Sequence, residues 1–280
     1  MSIFFEIADI SFELRNAAME MITPDILPYI RSVPTEGYKV IVCHINFVKD
    51  YSPVQGNILL RDPYRIILED KGIERRIFFL QPFSNIYGAV SEISPEELII
   101  ETDQVIIDRR FLELLSFEKH LLRRDAFILH SCYIDYDGAG IAFSAPSGTG
   151  KSTQGDLWEK TFQAEVINGD RSIIQFKDGE WLIHGLPFCG SSFINTNRSV
   201  PLRTIAVVKR DTCDHVEAFD PEGDFAGLVN EITVNGWDRR SVELTFDLVR
   251  RLIRNKKAVN LYCTKYASAA RCLKEYLEHV

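Results

Sequence analysis

Residues 145 to 153 read Ala-Pro-Ser-Gly-Thr-Gly-Lys-Ser-Thr, one residue away from the phosphate-binding pattern G-x-x-x-x-G-K-[ST]. Each position answers a need of a bound phosphate chain. Gly148 and Gly150 permit positive φ, so backbone N–H groups can turn inward as an anion nest. A helix starting after Gly150 aims the positive end of its dipole at the same point. The Lys151 ammonium reaches the outer phosphates, and the Ser152 hydroxyl takes a place on Mg²⁺. Ala145 in place of the first glycine asks only for a compact turn. An apolar run before the loop, GIAFSA, and the run KSTQGDLWEK after it supply a strand–loop–helix context. Ser147, Gly148, Thr149, Gly150, Lys151, Ser152 and Thr153 are therefore the nucleotide-binding candidates.

Two Asp-Gly turns bring further groups toward that loop. A two-residue turn at Asp137-Gly138 pairs Tyr136 with Ala139, and the same register sets His130 opposite Ala145, about 5 Å away at Cβ. On its own, a histidine in an apolar strand reads as a core residue. A second turn at Asp178-Gly179 pairs Lys177 with Glu180, which places Ile173 opposite His184 and Asp170 opposite Pro187. Asp170 ends the run AEVINGD and suits a carboxylate that holds a metal or accepts a proton from an attacking hydroxyl. The plainer reading makes it a partner for Arg171. His130, Lys151 and Asp170 are the catalytic candidates, with Ser152 and Asp170 as the Mg²⁺ ligands.

The polar segment GSSFINTN, opening with Gly190 and Ser191, reads as a loop closing over a substrate or as surface decoration. Arg239, Arg240, Arg250, Arg251 and Arg254 form a basic stripe on one helix, either a solvated face or a site for a phosphate or an acidic partner. His184, Gly190, Ser191, Arg239 and Arg240 complete the set as substrate-binding candidates.

The elements that must hold these groups fall into two regions. Residues 1–108 are mostly short strand-like runs, among them a hairpin of YRIILED and IERRIFFL around Lys71-Gly72 and an extended pair in EELIIETDQVII. One helix is expected at TPDILPYI, where Thr23 can cap and Pro24 suits the first turn. Residues 109–280 change texture. RRFLELLSFEKHLLRRD has helical spacing, two strands lead into the 145–153 loop, and SVELTFDLVRRLIR and YASAARCLKEYL read as helices around the strand AVNLYC. The reading is a strand-rich N-terminal module followed by a mixed α/β domain.

Composition bounds the class. The chain has 280 residues, 46% hydrophobic and 26% charged, with a net charge of -8. Such an acidic chain is not a general binder of nucleic acid or of membrane surfaces, and no apolar run reaches the 18 or so residues of a membrane span. The N-terminal stretch MSIFFEIADISFELRN has no basic leader and alternates like a strand. Six cysteines show neither a C-x-x-C pair nor zinc spacing, and read as reduced core residues of a cytoplasmic protein.

Taken together, these residues resemble the HPr kinase/phosphorylase family and its relatives with a phosphoenolpyruvate-carboxykinase-like P-loop fold. The resemblance covers roughly residues 126–280. It rests on ILHSCYIDYDGAGIAFSAPSGTGKST, which carries His130 and SGTGKS, on VINGDR, on IHGLPFCG and on VNLYCTKYASAARCLKEYL. It implies a kinase that moves a phosphoryl group to a serine hydroxyl. Lys151 and the loop amides would hold the phosphates, Ser152 and Asp170 would bind Mg²⁺, and His130 would orient or polarise the acid.

Two departures narrow the comparison. Gly169-Asp170 stands where the family has two acids, and WLIHGLPFCG lacks most of the family's glycine-rich signature, with His184 where a basic residue is usual. These point away from HPr as substrate and toward the family's peptide- or protein-serine kinases, some of which tailor peptides. The expected activity is an ATP- and Mg²⁺-dependent kinase acting on a peptide or protein, with GTP or pyrophosphate as other donors. A small-molecule (free serine-type) kinase and a non-catalytic nucleotide-sensing module are the alternatives. The resemblance also implies a homo-oligomer, and the N-terminal module is assigned to substrate recognition.

Overall fold

Three two-residue turns organise the strands, and each pairs a left-handed residue with glycine: Lys71-Gly72 (φ 52° and 81°), Asp137-Gly138 (53° and 77°) and Asp178-Gly179 (50° and 90°). Positive φ at both central positions matches the right-handed twist of the flanking strands, so these dipeptides fix hairpin register. A computed structural model describes residues 2–279; the side chain of Ser191 lies outside that description. The chain divides into two units, Met1–His120 and Leu121–Val280.

The first unit is built on nine strands: β1 (Ile3–Ile7), β2 (Ile10–Arg15), β3 (Ile30–Arg31), β4 (Lys39–Phe47), β5 (Asn57–Arg61), β6 (Arg65–Asp70), β7 (Ile73–Phe79), β8 (Ile86–Ser94) and β9 (Glu97–Thr102). They form one sheet in the order β3-β1-β2-β4-β9-β8-β7-β6-β5. β2–β4 and β4–β9 are parallel pairs and the rest are antiparallel. The expected hairpin at Lys71-Gly72 is present, with Asp70 opposite Ile73.

Three local expectations fail here. TPDILPYI is not a helix; only a 3-10 turn forms at Leu27–Tyr29. Pro28 removes a backbone donor and disfavours helical φ/ψ at Leu27. EELIIETDQVII is not a self-paired hairpin, because β9 lies between β4 and β8 while Ile107 bridges to Ile22. The run from 109 is not one helix but two, α1 (Arg109–Glu113) and α2 (Phe117–Leu122), separated by Ser116 at φ 52°. Phe111, Leu112, Leu114, Leu115, Phe117 and Leu121 are all buried. One straight helix buries a single stripe, so the break lets residues on several sides reach the interior.

The second unit continues with β10 (Ala126–Tyr136), β11 (Ala139–Ser144), α3 (Lys151–Phe162), β12 (Glu165–Asn168), β13 (Arg171–Lys177), β14 (Glu180–His184), β15 (Ser199–Arg210), β16 (His215–Ala218), α4 (Phe225–Asn230), α5 (Arg239–Arg254), β17 (Ala258–Cys263) and α6 (Ala267–His279). The sheet runs β11-β10-β13-β14-β15-β17-β16, with β12 on β10 and a further parallel pairing of β11 with β15. Side chains alternate between its faces. Phe127, Leu129 and Tyr133 of β10 join a core with Leu248, Val249 and Leu252 of α5. Cys132 and Ile134 join Trp158 of α3 and Ala269, Ala270 and Leu273 of α6 in another. The molecule is thus mixed α/β, with two mixed sheets. Among the described residues no helix is long and apolar enough to cross a membrane.

Candidate functional site

β10 changes partners in its middle, and the candidate site lies there. From Ala126 to His130 it pairs with β13, ending at His130↔Arg171; from Ser131 onward it pairs with β11, beginning at Ser131↔Ser144. Both Asp-Gly registers read from the sequence are the observed ones: Tyr136 opposite Ala139, and Ile173 opposite His184. β11 ends at Ser144, whose hydroxyl donates to the His130 carbonyl at 3.0 Å. His130 therefore stands beside the start of the Ala145–Gly150 loop.

In that loop Gly148 has φ 77° and Gly150 has φ 128°, and α3 begins at Lys151. The Lys151 side chain folds back beneath the loop, donating to the Ala145 carbonyl at 2.7 Å and approaching that of Pro146 at 3.5 Å. Lys151 is only 7% exposed. Burial holds its pKa below the ordinary lysine value, opposed by the negative charges of Glu231 and Asp170. Ser147, Ser152 and Thr153 are exposed around it. The loop is braced from outside by Arg210 at the end of β15. Its guanidinium donates to the carbonyl of Thr149 at 3.1 Å and to that of Gly148. A cavity of about 360 Å³ opens beside Gly148–Gly150, lined also by Thr153, Arg210, Thr264 and Lys265. It sits at the carboxyl ends of the parallel strands β11, β15 and β17, where open α/β sheets take ligands.

Asp170 arrives from the other side. The Asn168 side chain, fully buried, accepts from the backbone N–H groups of Asp170 (2.9 Å) and Arg171 (3.0 Å). Its amide donates to the carbonyls of Leu186 (2.6 Å) and Phe188 (3.1 Å). This one side chain shapes the turn that presents Asp170 and ties it to the irregular segment 186–188. The carboxylate of Asp170 lies 3.6 Å from His130 Nε2 and 3.4 Å from Arg171 Nε. Asp170 does not face Pro187 in a ladder, because β13–β14 pairing stops at Ile173↔His184. Gly190 approaches it instead; a Cβ at 190 would lie 3.0 Å from Asp170 Cγ.

His130, Lys151, Asp170 and Gly190 are thus brought together. His184 is buried, with Nδ1 at 2.7 Å from the Ser199 hydroxyl. Arg239 pairs with Glu243, Arg250 with Asp247, and Arg251 lies over the Phe176 ring. Arg240 is exposed beside the Asp238 cap of α5. No described hydrogen bond or ion pair ties Arg239 or Arg240 to the three central groups. The sequence reading missed Glu231, whose carboxylate meets His130 Nδ1 at 2.7 Å, and Arg210. Only the terminal position of Arg210 on the apolar run TIAVVKR hinted at a role; nothing local marked Glu231.

Fold and site together define a mixed α/β protein with a glycine-bearing strand–loop–helix unit, a buried lysine at its helix start and a histidine between two carboxylates. The chain belongs to the ScmC family: the family model for SynChlorMet cassette protein ScmC matches residues 100–261, more than half of it. A comparison with curated proteins gives no match. Among solved structures, the Hpr(Ser) kinase/phosphatase from Coxiella burnetii is similar at 11% identity over 46% of this chain and 91% of that one, with a TM-score of 0.23.

Proposed function

We propose that the protein is a phosphotransferase of the phosphoenolpyruvate-carboxykinase-like P-loop type, using ATP and Mg²⁺ to phosphorylate a hydroxyl, serine first, of a peptide or protein. The observation that carries this reading is a buried Lys151 at a helix start, under the charge of the Asp170 carboxylate, which itself stands 3.6 Å from His130, although the three come from different elements. A lysine buried against loop carbonyls, with backbone N–H groups and a helix N-terminus beside it, is built for an anion. The neighbouring cavity beside Thr153 has room for the nucleoside.

Mg²⁺ fits this donor set. The described residues hold no group of three or more His, Cys, Asp or Glu side chains arranged for a metal, and Mg²⁺ in phosphoryl-transfer sites uses one or two protein ligands, phosphate oxygens and water. Ser152 and Asp170 would hold it, and bound there it would neutralise charge on the transferred phosphoryl group. Lys151 and the amides of residues 148–150 orient the phosphates and stabilise developing negative charge. Asp170 accepts the proton of the acceptor hydroxyl as its oxygen bonds to the γ-phosphorus and the bond to the β–γ bridging oxygen breaks, releasing ADP. The N-terminal module (residues 1–108) recognises the substrate in this scheme, and the protein works in the cytoplasm on a peptide or protein substrate, as a homo-oligomer.

The test is calorimetric titration of wild type and Lys151→Ala with MgATP, followed by mass spectrometry of serine-containing peptides encoded beside the gene. Binding lost in the variant, with phosphate gained on a peptide, supports the proposal. Binding with no phosphorylated peptide turns the reading to a small-molecule kinase or a nucleotide sensor, and unaltered phosphate transfer by Lys151→Ala overturns it.

A further inference from the structure

Position 169 has no room for a second acid. A Cβ on Gly169 would lie 2.5 Å from Ser192 Cβ, closer than side-chain atoms approach without something shifting. A second carboxylate nonetheless reaches the site, from Glu231 in the segment after α4. Its side chain is 12% exposed, and Oε2 stands 2.7 Å from His130 Nδ1. The same residue also holds the histidine by its backbone: His130 N–H donates to the Glu231 carbonyl at 2.8 Å. Leu129 bridges to Ile232, and Thr233 N–H donates to the Ile128 carbonyl at 2.9 Å. Farther back, Asp224 at the start of α4 is fastened by Lys209 (2.6 Å) and Asn260 (2.5 Å). Glu231 is therefore fixed from both ends.

We propose that Glu231 is a positioning residue that acts through His130, a role that rests on the phosphotransferase reading above. A carboxylate only accepts, so the bond at 2.7 Å puts the ring proton on Nδ1. Nε2 is then the proton-accepting atom, and it faces Asp170 at 3.6 Å. Glu231 thus fixes both the tautomer and the orientation of the ring, by its carboxylate and by its backbone carbonyl, as a buried carboxylate orients a histidine elsewhere.

The experiment uses the full-length protein with nitrogen-15-labelled histidine, as wild type, Glu231→Gln and Glu231→Ala. Two-bond correlations from the imidazole show which ring nitrogen of His130 carries the proton. The expected result is Nδ1–H in wild type and in Glu231→Gln, whose amide oxygen still accepts, and a shift toward Nε2–H in Glu231→Ala. In peptide phosphorylation, Glu231→Ala should lose about 100-fold in kcat, within the range for lost acid–base assistance. Its KM for MgATP should stay within about twofold, because Glu231 touches no phosphate, and Glu231→Gln should recover part of the loss. An unchanged His130 tautomer in folded Glu231→Ala overturns the proposal, as does loss of MgATP affinity with kcat intact. Should wild type phosphorylate no peptide, the kinase reading fails by itself, while the tautomer result still decides whether Glu231 sets the ring.

Discussion

Asn168→Ala is the substitution whose cost the structure sets most directly. Four hydrogen bonds end on this one fully buried side chain: two accepted from the N–H groups of Asp170 and Arg171, and two donated to the carbonyls of Leu186 and Phe188. A buried hydrogen bond contributes about 1 kcal/mol net, and a polar group left without a partner costs roughly 1–3 kcal/mol. The turn is half-buried, so water can re-solvate part of what is exposed, and the expected loss is about 4 kcal/mol. The assay is urea denaturation followed by circular dichroism. Its midpoint should fall while the slope stays as in wild type, since a change in slope would mean a change in the surface exposed on unfolding. Asn168→Asp keeps the acceptor but turns a second oxygen toward two carbonyls, and should lose at least as much. A loss below about 1 kcal/mol in either variant would refute the view that this side chain carries the turn presenting Asp170.

Two further outcomes follow from ionisation. Burial lowers the pKa of Lys151 from 10.5, and a bound polyphosphate should raise it again. MgATP binding at alkaline pH below 10.5 should therefore take up a proton, and affinity should fall as pH rises through the lowered value; titrations in buffers of different ionisation enthalpy measure this, and no proton uptake would mean Lys151 does not meet the phosphates. Asp224 is pushed upward by burial, but hydrogen bonds from Lys209 and Asn260 outweigh this and hold its pKa below 3.8. A depressed carboxylate stabilises the fold above its unfolded pKa and loses that contribution as pH falls through the folded value. Wild type should therefore lose stability from about pH 5 downward more steeply than Asp224→Asn, and equal slopes in thermal unfolding would count against the anchor.

What the sequence determined by itself is the local geometry that short-range chemistry enforces. Lys71-Gly72, Asp137-Gly138 and Asp178-Gly179 each permit two left-handed residues in succession, so hairpin registers follow by counting, and His130 is carried to its place by that count, whereas Asp170 lies beyond the β13–β14 ladder and is presented by the Asn168 turn. Gly148, Gly150 and Lys151 likewise announce a loop and a helix start. Where packing competes with local preference, the sequence misleads: Pro28 stops the helix that Thr23 and Pro24 suggest, and apolar residues on several sides of the 109–122 run force a break at Ser116. The tertiary structure alone decided the rest. Arg210 reaches the loop because β15 lies parallel to β11, and Glu231 reaches His130 because the segment after α4 pairs along β10. Both contacts join residues 61 or more positions apart, and no periodicity or turn chemistry encodes which distant carboxylate will close on a given imidazole.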